Sequence, residues 1–169
     1  TGSNFTHTGG NLHIARAQNN PAFASVYLDP ETSTFGEGTK LRIGYSNTPN
    51  NEVIGIYSTI DIPNLVIDAS SATPPSAQQW TVPLTITDSL EIEAGATFDA
   101  NGLDLILNGD LIVNGTFATN SNTTFFSGAG NQQIVGSPVF WNLTKDASST
   151  LTLNDDITVN NVLRHENGT

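Results

Sequence analysis

The chain has 169 residues, of which 37% are hydrophobic and 12% charged, and its formal net charge at pH 7 is −11. An acidic surface of this kind repels phosphate backbones, so the charge argues against a nucleic-acid partner. The chain has no cysteine and no run of the roughly 20 apolar residues that a spanning helix needs, so we expect no disulfide, no cysteine-ligated zinc and no membrane insertion.

The first 60 residues show few repeats and no helical pattern. Residues 19–35 read NNPAFASVYLDPETSTF, and Pro21 and Pro30 bracket their apolar part. β-Branched and aromatic residues recur between these prolines, which favours a strand followed by a loop. No window of the chain has the apolar period of an amphipathic helix, so we expect an all-β protein.

A long repeat links two distant parts of the chain. NLVIDASSA at residues 64–72 resembles NLTKDASST at residues 142–150, and each copy leads into a strand-like segment. The first copy is followed by eleven extra residues, TPPSAQQWTVP at 73–83, which we interpret as a loop insertion. Trp80 in this segment is the best candidate for a ligand-contacting aromatic residue, since functional side chains concentrate in loops. The alternative is that Trp80 folds back over the side of the protein.

A shorter repeat follows. LTITDSLEIEAGATF at residues 84–98 aligns with LILNGDLIVNGTF at residues 105–117, so that Ile86, Leu90, Ile92 and Phe98 match Leu107, Leu111, Val113 and Phe117. LTLNDDITV at residues 151–159 is a third copy. Asn108-Gly109 alone predicts a hairpin with a tight turn, but the matching residues 87–89 and 154–156 supply positive φ poorly. All three triplets fit a gentle polar corner, in which the glycine is dispensable.

Repeats of about 19–23 residues, built of short strands and polar corners, predict a parallel β-solenoid, for which a right-handed coil is the prior expectation. Its coils stack Leu, Ile, Val and Phe on the inside. We assign residues 61–169 to these repeats and expect them to continue in a longer parent chain. We assign residues 1–60 to irregular N-terminal coils or a cap, because an open end exposes apolar rungs and unpaired backbone groups.

Acidic residues are the candidates for metal or catalytic chemistry. Asp99, Asn101 and Asp104 have spacings reminiscent of a calcium loop, but a full helix-loop-helix site needs more oxygen ligands and a distant glutamate. A structural corner is the preferred interpretation, and calcium binding stays open. Glu91 and Glu93 share an outward strand face, as carboxylates of a sugar-cleaving β-helix could. No nucleophile elbow, phosphate loop or zinc motif is present, so we predict no catalytic residue, no metal and no cofactor.

The segment from residue 60 to residue 165 carries recurring short motifs. TTFFSGAGNQQIVGSPVFWNLT at 123–144 and LTLNDDITVNN at 151–161 contain strings of the form T-F-x-G-x-x-x-Q-x-I-x-G, F-x-N-L and L-T-L. This pattern resembles the repetitive β-solenoid regions of large Bacteroidetes cell-surface proteins. The resemblance implies export by the type IX secretion system and a role as an adhesin, including gliding-motility adhesins. It also implies a possible O-glycan at Ser89, within Asp88-Ser89-Leu90, although a plain corner is the favoured interpretation.

These observations predict a non-catalytic, extracellular stalk or adhesin module on the cell surface. Its expected partners are cell-surface or substratum glycans, other surface proteins, and the secretion machinery during export. Two alternatives stay open. A carbohydrate-active β-helix enzyme, a lyase or a glycosidase, requires a cleft lined by several carboxylates and a base. A self-assembling filament or sheath subunit requires stacking through the open ends.

Overall fold

A computed structural model describes residues 2–18 and 24–168, so the start of the segment 19–35 lies outside the described residues. Within these ranges the only regular elements are β-strands, and none of these residues forms a helix long and apolar enough to cross a membrane. Every strand pair is parallel, and the strands stack in about six turns. The predicted all-β parallel β-solenoid is therefore confirmed.

Eighteen strands build the described part of the coil. In chain order they are β1 (Asn4–His7), β2 (Asn11–Ile14), β3 (Val26–Leu28), β4 (Thr32–Phe35), β5 (Lys40–Ile43), β6 (Val53–Ser58), β7 (Ile62–Ile67), β8 (Ser76–Gln79), β9 (Leu84–Ile92), β10 (Thr97–Asp99), β11 (Leu105–Leu107), β12 (Asp110–Val113), β13 (Thr116–Ala118), β14 (Thr123–Phe126), β15 (Gln132–Val135), β16 (Val139–Lys145), β17 (Leu151–Leu153) and β18 (Thr158–His165).

The strands fall on three faces, numbered in the order in which the chain visits them. Face 1 contains β1, β4, β11 and β14, and face 2 contains β2, β5, β12, β15 and β17. Face 3 is a five-stranded sheet of β3, β6, β8, β10 and β13. The longer strands β7 and β9 turn the corner from face 1 to face 2, while β16 and β18 bend towards face 1.

The core is a stack of apolar rungs inside the coil. Successive strands place like residues above one another, because parallel in-register pairing keeps the inward positions aligned. One ladder on face 2 consists of Leu41, Leu65, Leu90, Leu111 and Ile134, all of them buried. On face 3, Phe98 stacks on Phe117 with ring centroids 6.0 Å apart.

The segment 103–117 forms a corner and not a hairpin. β11 and β12 run parallel to the two halves of β9, so that Leu107 pairs with Ile86 and Leu111 pairs with Leu90. The predicted alignment of residues 84–98 with 105–117 is therefore confirmed. The expectation that its glycine is dispensable is wrong, because a Cβ on Gly109 would overlap the backbone carbonyl of Asp88 in the coil below.

The C-terminal copies of the repeat lie one face away from their predicted positions. Leu65 pairs with Leu90 on face 2, whereas Leu143 pairs with Thr124 on face 1. Leu153 likewise pairs with Ile134 on face 2 and does not continue the ladder of Leu107. The alignment failed because every face requires the same alternation of apolar and polar residues, so a shift by one face leaves the sequence pattern intact.

The segment 73–83 is not a loop insertion, since residues 76–79 form β8 between β6 and β10. The extra residues of the longer coils lie in the corner between faces 2 and 3. That corner comprises residues 44–52 in the second coil and shortens to 68–75, 93–96 and 114–115 in the next three coils. Coils near the N-terminus contain more residues than later ones: the ladder partner of Leu12 one coil later is Leu41, whereas the partner of Phe98 is already Phe117.

Candidate functional site: an aromatic stripe on face 3

Three aromatic residues, Tyr27, Tyr57 and Trp80, follow one another along the outer side of face 3, and we call them the aromatic stripe. In β3 and β6 the alternation of the strand buries Val26 and Ile56 and turns the next residue of each outward. Tyr27 and Tyr57 are register partners, with ring centroids 4.5 Å apart and ring planes 7° apart. Tyr27 keeps 51% of its surface exposed.

Trp80 extends this row by one coil. Its backbone N–H donates to the carbonyl of Ile56 at 2.8 Å, which continues the pairing of β8 with β6 and brings Trp80 beside Tyr57 in the ladder. The indole lies over Gly55, and its Cε3 atom is 3.1 Å from the point where a side chain would begin there. Trp80 is therefore half-buried against the side of the solenoid.

A shallow recess of about 310 Å³ borders the stripe at its N-terminal end. Its walls are formed by Ser3, Phe5, Tyr27, Leu28, Asp29 and Pro30. The Thr59 hydroxyl donates to Oδ1 of Asp29 at 2.7 Å, which holds the carboxylate at the rim. Burial, the negative charge of Asp29 and the neighbouring Tyr27 together raise the pKa of Tyr57.

Ser89 lies at the corner between faces 1 and 2, within β9. Its hydroxyl donates to Oδ1 of Asn64 at 2.7 Å, and the amide of Asn64 donates to the carbonyl of Thr39 at 3.0 Å. The side chain of Ser89 is half-buried in this arrangement. Ser89 thus takes part in a hydrogen-bonded connection that joins three successive coils.

Asp99 ends β10 on face 3, and Asn101 and Asp104 lie in the corner that follows it. Oδ1 of Asp99 accepts from the backbone N–H of Asn101 at 2.7 Å and from the amide of Asn120 at 2.6 Å. Oδ1 of Asp104 accepts from the backbone of Thr123 at 3.3 Å. Within residues 2–18 and 24–168, no three His, Asp or Glu side chains gather into a group that could hold a metal ion.

Glu93, one of the two outward carboxylates of the sequence pattern, belongs to a charge cluster with Arg42 and Asp68. The Nη2 atom of Arg42 lies 2.6 Å from Oδ2 of Asp68 and 2.6 Å from Oε1 of Glu93. Burial opposes ionisation of Asp68, but hydrogen bonds from Ser70 and Arg42 outweigh it and lower the pKa of this carboxyl. The cluster links three coils, and its one positive charge lies between two negative ones.

The sequence pattern indicated Trp80 but did not indicate Tyr27 and Tyr57. Their strands carry a short repeat, SVYLD at 25–29 and GIYST at 55–59, in which a tyrosine follows a β-branched residue. The two tyrosines are separated by more chain than the sequence repeats predict for one coil, so the repeat length does not align the two segments. The signal was present, but it can be recognised only once the width of the first coils is known.

The aromatic stripe offers ring faces, hydroxyls and one carboxylate. None of the described residues that line its recess is a Lys, Arg or His. Such a surface can bind by stacking and hydrogen bonding, but it lacks the paired acid and base that bond cleavage requires. No protein-family model, no curated protein and no solved structure was found to match this chain.

Proposed function

We propose that the chain is a non-catalytic module of an extracellular cell-surface protein, serving as a stalk or adhesive scaffold. The observation that carries the proposal is the combination of a continuous apolar stack with a partly exposed aromatic stripe on its side. The stack gives a long, fixed body, and the stripe gives that body a contact surface. The resemblance of residues 60–165 to Bacteroidetes adhesin repeats supports export by type IX secretion and surface display.

A non-catalytic role is supported by the positions of the carboxylates considered above. Asp68 and Glu93 are bound to Arg42, and Asp99 is bound within its corner. Carboxylates that act as acid or base must reach a substrate across a cleft, and these three are occupied by neighbouring protein groups. The carbohydrate-active enzyme therefore has no specific support in the geometry.

The exposed C-terminal edge supports the idea of a longer stack. β18 pairs with β16 on one side only, and Leu163 above Leu143 is 66% exposed. A groove of about 260 Å³ beside it is lined mainly by leucine and isoleucine. We propose that a further coil of a longer parent chain covers this edge, since an uncovered apolar rung and strand edge is a liability.

Stacking of separate copies into a filament is the weaker candidate. A copy placed on β18 would present its first coil, the wide one in which the chain runs from Leu12 to its ladder partner Leu41. The coil that ends at β18 is narrower, since only the segment 144–162 separates Leu143 from its partner Leu163. A further coil with about as many residues as the one that ends at β18 therefore matches this edge better than the longer first coil of a second copy does.

A bead-adhesion assay tests the proposed role. Beads carrying the intact chain are brought onto surfaces coated with glycans or with proteins, and the force needed to detach them is measured. We expect the folded chain to hold beads on at least one class of surface, and an unfolded variant such as Leu111→Asp not to. Beads that leave every surface as easily as uncoated ones would contradict an adhesive role. Release of reducing ends from polysaccharides would instead support the enzyme.

A further inference from the structure

The chemistry of the aromatic stripe and its recess is amphipathic in a specific way. Phe5 and Tyr27 provide aromatic carbon at the recess, and Asp29 and Ser3 provide polar atoms at the same place. Sugar rings have matching surfaces, with C–H bonds on their faces and hydroxyls at their edges. Sites for small ligands commonly combine an apolar lining with a few placed polar groups in this manner.

Charge narrows the class of sugar. The chain carries a formal net charge of −11, and Asp29 places a carboxylate at the rim of the recess itself. Sulfated, phosphorylated or sialylated glycans would be repelled by this field. The negative field would attract a small cation, but an exposed aromatic ring adds too little affinity to bind a cation by itself.

The length of the stripe sets the size of the ligand. Neighbouring parallel strands lie about 4.8 Å apart, so the ladder positions of Tyr27, Tyr57 and Trp80 together span about 10 Å along the solenoid axis. A disaccharide has a comparable length. We propose that the aromatic stripe, with the recess at Asp29, is a binding site for a neutral oligosaccharide of two or more sugar units. This inference rests on the proposed adhesive function and assigns it a location.

The test is a titration of the intact chain with cellobiose, maltose, lactose and diacetylchitobiose, followed by tryptophan fluorescence and by NMR. Tetramethylammonium and sialyllactose serve as cationic and anionic probes. We expect at least one neutral disaccharide to bind saturably at millimolar concentration. Tyr27→Ala should weaken that binding at least fivefold, since it removes an exposed ring that lines the recess.

Tyr45→Ala is the matched control, because Tyr45 is also an exposed tyrosine, 44% accessible, and packs against His13 away from the stripe. It should leave the affinity unchanged, and thermal unfolding checks that both variants are folded. The proposal is overturned if no neutral disaccharide binds, if Tyr27→Ala and Tyr45→Ala bind alike, or if a charged probe binds more tightly. Beads that still adhere when carrying Tyr27→Ala would reject this site and leave the adhesive function standing.

Discussion

Gly109 shows how a single residue can be fixed by a neighbour that is remote in sequence. It does not have the positive φ that usually explains a glycine in a turn. The constraint comes from Asp88, whose carbonyl in the coil below occupies the space that a side chain at Gly109 would need. Close stacking of the corners therefore requires a residue without Cβ at this position.

We predict that Gly109→Ala destabilises the protein by about 2 kcal/mol or more, the usual cost of forcing atoms into occupied space. Gly130→Ala is the control, because no atom lies within 4 Å of the position of its Cβ. Chemical denaturation of both variants measures the difference. Equal free energies of unfolding for the two variants would contradict the close approach of the corners.

Lys145 is a second residue whose surroundings are unusual. It points into the coil above Phe126 and is 4% exposed, and its ammonium group donates to the carbonyl of Ala147 at 2.6 Å and to the hydroxyl of Ser149 at 3.2 Å. Burial lowers the pKa of Lys145, although the charge of Asp146 opposes this shift. The folded protein thus holds the proton less tightly than the unfolded chain does.

The pH dependence follows from that difference. Between the lowered pKa and the ordinary value of 10.5, the unfolded chain binds more protons, so this lysine makes stability rise with pH across that window. We predict that Lys145→Met is more stable than wild type at neutral pH by about 1 kcal/mol, and that the gap narrows towards pH 10.5. Denaturation curves from pH 7 to pH 10.5 measure the difference in free energy of unfolding between the two proteins. A difference that does not change with pH would contradict the lowered pKa of Lys145.

At the scale of elements, the corner inside β9 explains how one strand serves two faces. Leu84 and Ile86 point into the core from face 1, and Leu90 and Ile92 do so from face 2. Even-numbered residues point inward both before and after the bend. Asp88 is the exception, because it lies at the convex bend itself and is exposed there. Alternation of side chains is therefore the feature that the sequence must preserve, and turn chemistry is secondary.

We predict that Leu107→Asp or Leu111→Asp abolishes cooperative unfolding, since either change places an unpaired charge among buried rungs. Ile112→Asp is the matched control, because Ile112 is adjacent to Leu111 on the same strand and points outward. It should change the free energy of unfolding by roughly 1 kcal/mol or less. Circular dichroism melting of the three variants tests this prediction. If both leucine variants melted like the wild type, the inward assignment of Leu107 and Leu111 would be disproved.

At the scale of the molecule, the sequence allowed the fold class to be predicted, because residues 84–117 contain two adjacent coils with matching apolar positions. The face occupied by residues 142–159 could not be predicted, since all three faces impose the same alternation. The need for a glycine at position 109 could not be predicted from the local sequence, because the carbonyl that excludes a side chain there belongs to Asp88 in the preceding coil. The stripe was only partly foreseen: Trp80 stands out by its type, but its alignment with Tyr57 depends on coil widths that no local pattern encodes.

The narrowing corner between faces 2 and 3 has a mechanical consequence. The hydrogen bonds between parallel coils run along the solenoid axis, so tension along that axis loads one coil boundary at a time and peels the coils in turn. A narrow coil such as that from Phe98 to Phe117 releases about 65 Å of chain, and a wide one such as that from Leu12 to Leu41 releases about 100 Å. Other coils, such as that from Leu41 to Leu65, have intermediate lengths. Force spectroscopy on the tethered chain should therefore record extension steps of several lengths, giving the molecule a graded compliance under load. A single rupture of the whole stack would contradict peeling by coils.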